Sequence, residues 1–472
     1  MKLIRSINWK MMSGPFFFCL TAYLLNGTFP LPAAFAVGTA VWMAVWWIFR
    51  PISIYVTAFV PIVVNSIFNL IPAQHVISQY FSEIAVLLLG ADLICLTWTT
   101  TGLDQRISVK TLCFIGPSMK SQIFVWFGAS TFLSIFLPNV VVAAIFCPIA
   151  AAMLHFVGEE DLTKSKLAVP IFLAIGWGSG IGGFGSPIGS SANLVAVTYL
   201  ENMIGHEFMY YDWVIRFIPL LLMVFVVNLI FLWLLPVGNR DLPGTREYFR
   251  DMYAKFGPVR KSEKIGFLIF AAATVCAFIR PLFADYLPAM KPAYVFLFFG
   301  MLMFFLRDEN GEVMLTAKYA ESHVMWGMIF LFASGLALGR LLIETEAISC
   351  LANIIVGLDL TPGIMVMAIC CLFAVGMSEI SSNTASASIS IPIVAAITNA
   401  LGVNPVPYIL AIIVAFNCAY ILPISTRAIP IGYGLNAAVQ IKYGAVLSLL
   451  TVTCVIVVCT LAMNYYPLFS EL

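Results

Sequence analysis

Charge is what this sequence has least of. Asp, Glu, Lys and Arg together make up 10% of the 472 residues, and the formal net charge is +1. A near-neutral balance without a basic domain argues against nucleic-acid binding. Histidine is scarce too. His75, His155, His206 and His323 fall at predicted loops or span ends and form no ligand cluster, which argues against a catalytic metal. Most of the eleven cysteines, such as Cys19, Cys95, Cys276, Cys454 and Cys459, sit inside apolar runs. They read as small packing residues, and a disulfide framework is not expected. No nucleophile–base pair or His/Asp cluster is visible within those runs, so a membrane-embedded hydrolase lacks its groups. What abounds is apolar sequence, at 61% of residues. Several runs of roughly 20 apolar residues predict an all-α polytopic membrane protein embedded in a lipid bilayer.

In chain order, spans are predicted at 15–30, 34–49, 53–71 and about 84–102. The basic start and Ala34-Phe35-Ala36 superficially resemble a signal peptide, but apolar sequence resumes at once, so an uncleaved first span is expected. The run 122–153 is interrupted at Pro138-Asn139, and 167–200 is broken by the glycine-rich stretch 178–193. A phosphate-binding glycine loop is discounted there, because no βαβ pattern surrounds it. A span at 213–236 leads to the long hydrophilic segment 238–264, whose seven basic residues stand against four acids. Further spans follow at about 265–283, 292–306 and 323–343, then interrupted segments at 363–399 and 407–437, and a last span at 442–466.

The interruptions are informative because lipid offers no partner to backbone groups, so a polar run at membrane depth must line a wet cavity inside the protein. Ser378-Glu379-Ile380-Ser381-Ser382-Asn383-Thr384-Ala385-Ser386 is one such run. The segment beginning at Pro138-Asn139 matches it from Ser382-Asn383 through Pro-Ile without a gap, 244 positions earlier. The same spacing lays Leu87-Leu88-Leu89-Gly90-Ala91 under Leu331-Phe332-Ala333-Ser334-Gly335. Chance similarity between apolar segments is the rival explanation. Two related halves with corresponding breaks are the pattern of a secondary transporter with inverted repeats.

Basic residues orient the map. With the N-terminus cytoplasmic and both hairpins re-entrant, Lys2, Arg5, Lys10, Arg50, Arg106, Lys110, Lys120, Lys164, Lys166, the seven of 238–264, Arg307, Lys318 and Lys442 all fall inside. Arg280 and Lys291 fall outside, with Arg216 near that interface. The expectation is about eleven transmembrane helices plus two re-entrant hairpins, in the plasma (inner) membrane. First-half scaffold helices occupy 1–121 and a first transport region 122–237. The linker is 238–264, second-half scaffold helices are 265–362, and the second transport region is 363–472.

These segments resemble the divalent anion/sodium symporter family of the ion transporter superfamily, which carries dicarboxylates, citrate or sulfate. Ser378-Glu379-Ile380-Ser381-Ser382-Asn383-Thr384 is similar to its Thr-Glu-x-x-Ser-Asn-Thr signature. Gly182-Gly183-Phe184-Gly185-Ser186-Pro187-Ile188-Gly189 with Asn193 resembles its first helix break. Residues 51–62 and 331–338 resemble two of its other helices. The resemblance runs from about residue 50 to the C-terminus. It implies a homodimer working as an elevator, with both tips and both breaks around one small anion. It also implies substrate contacts at Ser382, Asn383, Thr384, Asn139, Ser190 and Thr426. One sodium ion would use Ser134, Asn139, Gly183 and Gly189, and a second Ser378, Asn383 and Ser425. No organic cofactor is expected.

Three departures stand out. The first tip reads Pro138-Asn139-Val140 and lacks two hydroxyls; the first break has Ser191-Ala192 for Pro-Pro; the second reads Thr426-Arg427-Ala428-Ile429 for Thr-Pro-Pro-Asn. An intramembrane arginine is functional by default, and its planar fork suits a carboxylate. Arg427 is therefore expected to bind the substrate directly, or to stand in for one sodium ion. The plainer alternative pairs it with Glu379. The function expected is secondary transport of small anions, foremost di- or tricarboxylates, by sodium symport or exchange. The nearest rival keeps this architecture but moves sulfate, sulfonates or arsenite, or exchanges cations for protons. Antiport would need titrating acids at both tips, and only Glu379 is present. A channel or structural subunit is the remaining alternative.

Overall fold

The computed structural model describes residues 9–49, 51–236, 241–350 and 362–471. The inside assignments of Lys2, Arg5, Arg50 and Arg240, and residues 351–361 of the second scaffold region, lie outside these residues. The described chain is helical, with no strand. Its first half runs α1 (Trp9–Leu25), α2 (Leu31–Phe49), α3 (Val60–Phe68), α4 (Glu83–Thr101), α5 (Leu103–Leu112), α6 (Met119–Ser134), α7 (Asn139–Phe156), α8 (Ala168–Gly182), α9 (Ser191–Ile204) and α10 (Tyr210–Trp233). After α11 (Thr245–Ala254) come α12 (Lys261–Phe278), α13 (Pro292–Leu302), α14 (Ala317–His323), α15 (Trp326–Glu344), α16 (Ile364–Ile380), α17 (Asn383–Ala400), α18 (Val406–Asn417) and α19 (Ala437–Tyr465). Among the described residues, seven helical stretches are long and apolar enough to cross a membrane, with shorter apolar helices beside them.

Both halves contain a helical hairpin and a broken helix. The hairpins are α6–α7, turning at 135–138, and α16–α17, turning at 381–382. Pro148 lies within α7 and Pro392 within α17, each at the tenth residue of its helix. The internal match of the sequence is thus a match of local structure. The first broken helix passes from α8 through two 3-10 turns, 183–185 and 187–189, to α9. The second passes from α18 through an irregular stretch to a 3-10 turn at Ser425–Ala428 and a short helix at Ile429–Gly432.

Three apolar clusters hold the helices. The largest joins α6–α10 to α16–α19 through side chains such as Trp126, Phe172, Trp213 and Ile412. A second packs α1–α3 on α15 through Phe18, Met43, Val64 and Leu338. A third, around Leu93, Met303, Leu315 and Val324, sits where α4 meets the 303–329 region. Helices α4 and α13 cross with their backbones nearly touching. A Cβ at Gly90 would lie 2.4 Å from Leu297 N, and one at Gly300 2.9 Å from Gly90 O. Small residues permit that approach, which within a bilayer supplies packing that the hydrophobic effect does not.

One expectation needs correction. Residues 53–71 are not one span: a single turn at Ile54–Thr57 precedes α3, which stops at Asn69 in the left-handed region, φ 49°. The Asn65 amide fixes the reversal by donating to Ile71 O and accepting from Ile71 N, both at 3.0 Å. The basic stretch after residue 102 forms α5, whose Arg106 is buried against Glu263. The 238–264 segment is likewise more than a tether. Phe249 of α11 is buried edge-on against Trp126, and Gln122 Nε2 donates to Thr245 Oγ1 at 2.9 Å.

Candidate functional site

All four interruptions converge on one cavity of about 80 Å³. Asn139 and Val140 come from the first tip, and Ser382, Asn383 and Thr384 from the second. Gly189, Ser190 and Ser191 come from the first break, and Ser425 and Thr426 from the second. Of the residues expected to contact substrate, Asn139, Ser190, Ser382, Asn383, Thr384 and Thr426 therefore share one wall.

Helix starts make this wall rich in donors. Asn139, Ser191 and Asn383 are the first residues of α7, α9 and α17. Ser190 and Ser382 are the caps of α9 and α17, accepting from Ala192 N at 3.4 Å and Ala385 N at 3.2 Å. Initial turns leave backbone N–H groups without helical partners, and aligned peptide dipoles make that end positive. The Ser191 and Thr384 hydroxyls meet at 2.6 Å. A desolvated anion could replace its water shell with such groups.

Behind the first tip lies a concentration of oxygen. A Cβ placed on Gly189 would sit 2.5 Å from Gly183 O, 2.8 Å from Ser134 O and 3.0 Å from Ile135 O. The Ser134 hydroxyl lies 2.7 Å from Ser179 O and 3.3 Å from Asn139 Oδ1. Gly183 closes against the Asn139 amide, where a Cβ would lie 2.5 Å from Oδ1. Carbonyl, hydroxyl and amide oxygens in this arrangement are the donor set of a hard cation. Asn193 shapes the break, its Nδ2 donating to Gly183 O at 2.7 Å and Ser186 O at 2.8 Å.

The second half is wired differently. The Ser378 hydroxyl donates to Asn383 Oδ1 at 2.8 Å, and Asn383 Nδ2 donates to Asn417 Oδ1 at 2.8 Å. Arg427 is buried, lines a small cavity beside the main one, and is directed at Glu379. Its Nη1 donates to Glu379 Oε2 and its Nη2 to Ser378 O, both at 2.8 Å. Glu379 also accepts from Ile421 N at 2.9 Å and Leu422 N at 2.8 Å. The ion pair weighed in the sequence analysis is thus present, and it fastens the end of α16 to the second break. Arg340, outside this site, pairs with Glu344 at 2.5 Å.

The rest of the wall escaped the sequence analysis. It comprises Leu88, Ala91, Asp92 and Cys95 of α4, with Met325 and Met328 at the start of α15. Asn417 was missed as well. Asp92 left a signal, a lone acid inside an apolar span; Asn417, at the end of α18, left only a polar residue next to Cys418.

Comparison with known proteins finds a matching family, related sequences and a shared fold. The citrate transporter family model matches residues 44–415 and, in a second match, 291–470. The sodium-dependent dicarboxylate transporter SdcS of Staphylococcus aureus is 25% identical over 443 residues, covering 91% of this chain and 85% of that protein. SdcS of Staphylococcus saprophyticus is 24% identical over 436 residues, covering 89% and 84%. The crystal structure of the Alcanivorax borkumensis YdaH transporter shares the fold with a TM-score of 0.53 at 12% identity, covering 93% of this chain and 100% of that one.

Proposed function

The chain belongs to the citrate transporter family and is an all-α, multi-pass membrane transporter rather than an enzyme; from that premise we propose that it carries small di- or tricarboxylates, with sodium as the coupling ion. The observation that carries this reading is the meeting of both tips and both breaks on one cavity. An anion at membrane depth needs donors in place of water, and the helix starts at Asn139, Ser191 and Asn383 with the hydroxyls of Ser190, Ser382, Thr384 and Thr426 offer them. Sodium dependence and dicarboxylate cargo in the SdcS relatives support the same choice.

One sodium ion would sit among Ser134, Asn139, Gly183 and Gly189, where the oxygens crowd the Gly189 position. Cations carried beside a dianion reduce the net charge moved across the bilayer, which is the physical reason for coupling them. At Ser378, Asn383 and Ser425, Arg427 takes the part of a second cation. Ser378 lies 244 positions after Ser134, and its carbonyl already accepts from the guanidinium. With both Nη atoms engaged, Arg427 acts on the anion by its fixed charge. That geometry favours, as a second reading, lowered sodium coupling and a drift towards anion exchange.

The segments 1–121 and 265–362 are read as scaffold and 122–237 and 363–472 as the moving part of an elevator, joined by 238–264 in a homodimer. The packing of α1–α3 on α15, in a cluster distinct from the one that holds α6–α10, supports that division. The orientation proposed is a cytoplasmic N-terminus in the plasma (inner) membrane. Uptake of labelled succinate, malate, citrate and sulfate into proteoliposomes tests the whole. Saturable uptake driven by an inward sodium gradient or by internal counter-substrate is expected; failure of both drives for every anion would overturn the reading.

A further inference from the structure

We propose that Asp92 is the residue that drives release: a buried carboxylate in the lining of the same cavity as the tips, whose negative charge weakens the hold on the anion in the arrangement described here. The proposal rests on the anion-transport reading above. Asp92 lies near the middle of α4, is 7% exposed, and takes part in no ion pair among the described residues. Its Oδ2 accepts from Met325 N at 2.7 Å, which fixes the side chain at the start of α15.

The position is what matters. The cavity between the tips is lined by hydroxyls and helix starts and, among them, by Asp92. A second cavity of about 90 Å³ shares Asp92, Cys95, Pro138 and Met325 with the first and continues to Thr99, Asp104 and His323. An anion leaving by that route passes between the first tip and the Asp92 carboxylate. Like charges at such separations, in the effective dielectric of a protein interior, weaken binding by about tenfold. Helix α4 is braced by α13 at the Gly90–Gly300 crossing and, through Leu93, by Met303, Leu315 and Val324, while its Leu87, Ile94 and Trp98 meet the large cluster that holds the helices of the tips. A transporter that alternates its access moves one region against the other, so the carboxylate opposes the anion at one end of the cycle and is left behind at the other. The outcome is unequal affinity on the two faces of the membrane, weak on the face reached past Thr99 and His323.

Half-saturation for succinate, measured in right-side-out and inside-out membrane vesicles, tests this. The variants are Asp92→Asn, which keeps an acceptor for Met325 N without the charge, and Asp92→Ala, which removes both. In Asp92→Asn, half-saturation should fall about tenfold on one face and stay within about twofold on the other. Loss of function in Asp92→Ala alone would identify the separate bracing of Met325. Equal shifts on both faces, no shift, or weaker binding in Asp92→Asn would overturn the release role. Absence of anion transport by the unaltered protein would instead remove the transport reading itself.

Discussion

The hydroxyls of Ser191 and Thr384 meet at 2.6 Å although 193 positions separate them in the chain. One opens α9 after the first break, and the other is in the first turn of α17 beyond the second tip. This is a direct polar join between the halves at the cavity wall, made by two rotors that can each donate or accept. Thr384 corresponds to Val140 in the first tip, so the join is made once, not twice.

The join leads to a first prediction. Thr384→Val should raise the half-saturation for a dicarboxylate by about fivefold, the worth of a ~1 kcal/mol hydrogen bond. Ser191→Ala should do the same. If the two act through their contact, the double variant will cost little more than either alone. Simple multiplication of the two effects, in uptake measured side by side, would mean that the hydroxyls serve the anion independently.

Gly189 sets a second test. A methyl group there would enter the oxygen cradle formed by Gly183 O, Ser134 O and Ile135 O. Gly189→Ala should raise the sodium concentration needed for half-maximal uptake by about tenfold or abolish the stimulation, since a hard cation tolerates no apolar group among its ligands. Gly180→Ala is the control. Nothing lies within 4 Å of its Cβ position, and in helix α8 the change gains about 0.5–1 kcal/mol in backbone terms. Equal sodium dependence in the two variants would move the cation elsewhere.

Much of this site could be read from the chain because its polar residues are contiguous. Ser382, Asn383 and Thr384 stand together, and Asn139 was found through the repeat. What could not be read was set by three-dimensional neighbours. Asp92 is one acid among apolar residues, and only the approach of α15 and the tips places it on a cavity. Arg427 was flagged as costly, but its direction depended on whether Glu379 at the end of α16 would reach it. The break at Ala58–Phe59 escaped because the 53–71 run carries no charge and no glycine, and Asn65 reveals its capping role only once Ile71 folds back. Helix α5 shows the same dependence: its Arg106 is buried by Glu263, a partner 157 positions away that nothing in the local sequence announces.

Arg427 and Glu379 have side chains 6% and 8% exposed and 2.8 Å apart. Arg427→Ala leaves a buried carboxylate with only the Ile421 and Leu422 amides, a loss of roughly 3–5 kcal/mol. Thermal unfolding in detergent should show that loss and its partial recovery in Arg427→Met with Glu379→Gln. The paired variant also frees Ser378 O. Its uptake should therefore respond more steeply to sodium than that of the unaltered protein. Restored stability with unchanged sodium response would leave the pair a structural fastening alone.

A last prediction concerns Arg106, buried with Glu263 at 3.1 Å with side chains 5% and 1% exposed. Its Nη1 donates to Gly257 O at 2.8 Å and its Nη2 to Phe256 O at 2.9 Å, so one guanidinium holds the end of the linker against α5. Arg106→Ala removes three hydrogen bonds to the linker backbone and the buried partner of Glu263, leaving that carboxylate only Arg260, and should cost roughly 3 kcal/mol. Because the linker itself is released, trypsin should cut at Arg246, Arg250, Lys255 or Arg260 several-fold faster. Half-saturation for the anion should hold, as none of these groups lines the cavity. Arg340 supplies the contrast: its side chain is 45% exposed beside Glu344, and Arg340→Ala should change stability by no more than about 1 kcal/mol. Equal losses in the two variants would mean that burial is not what gives the Arg106 pair its strength.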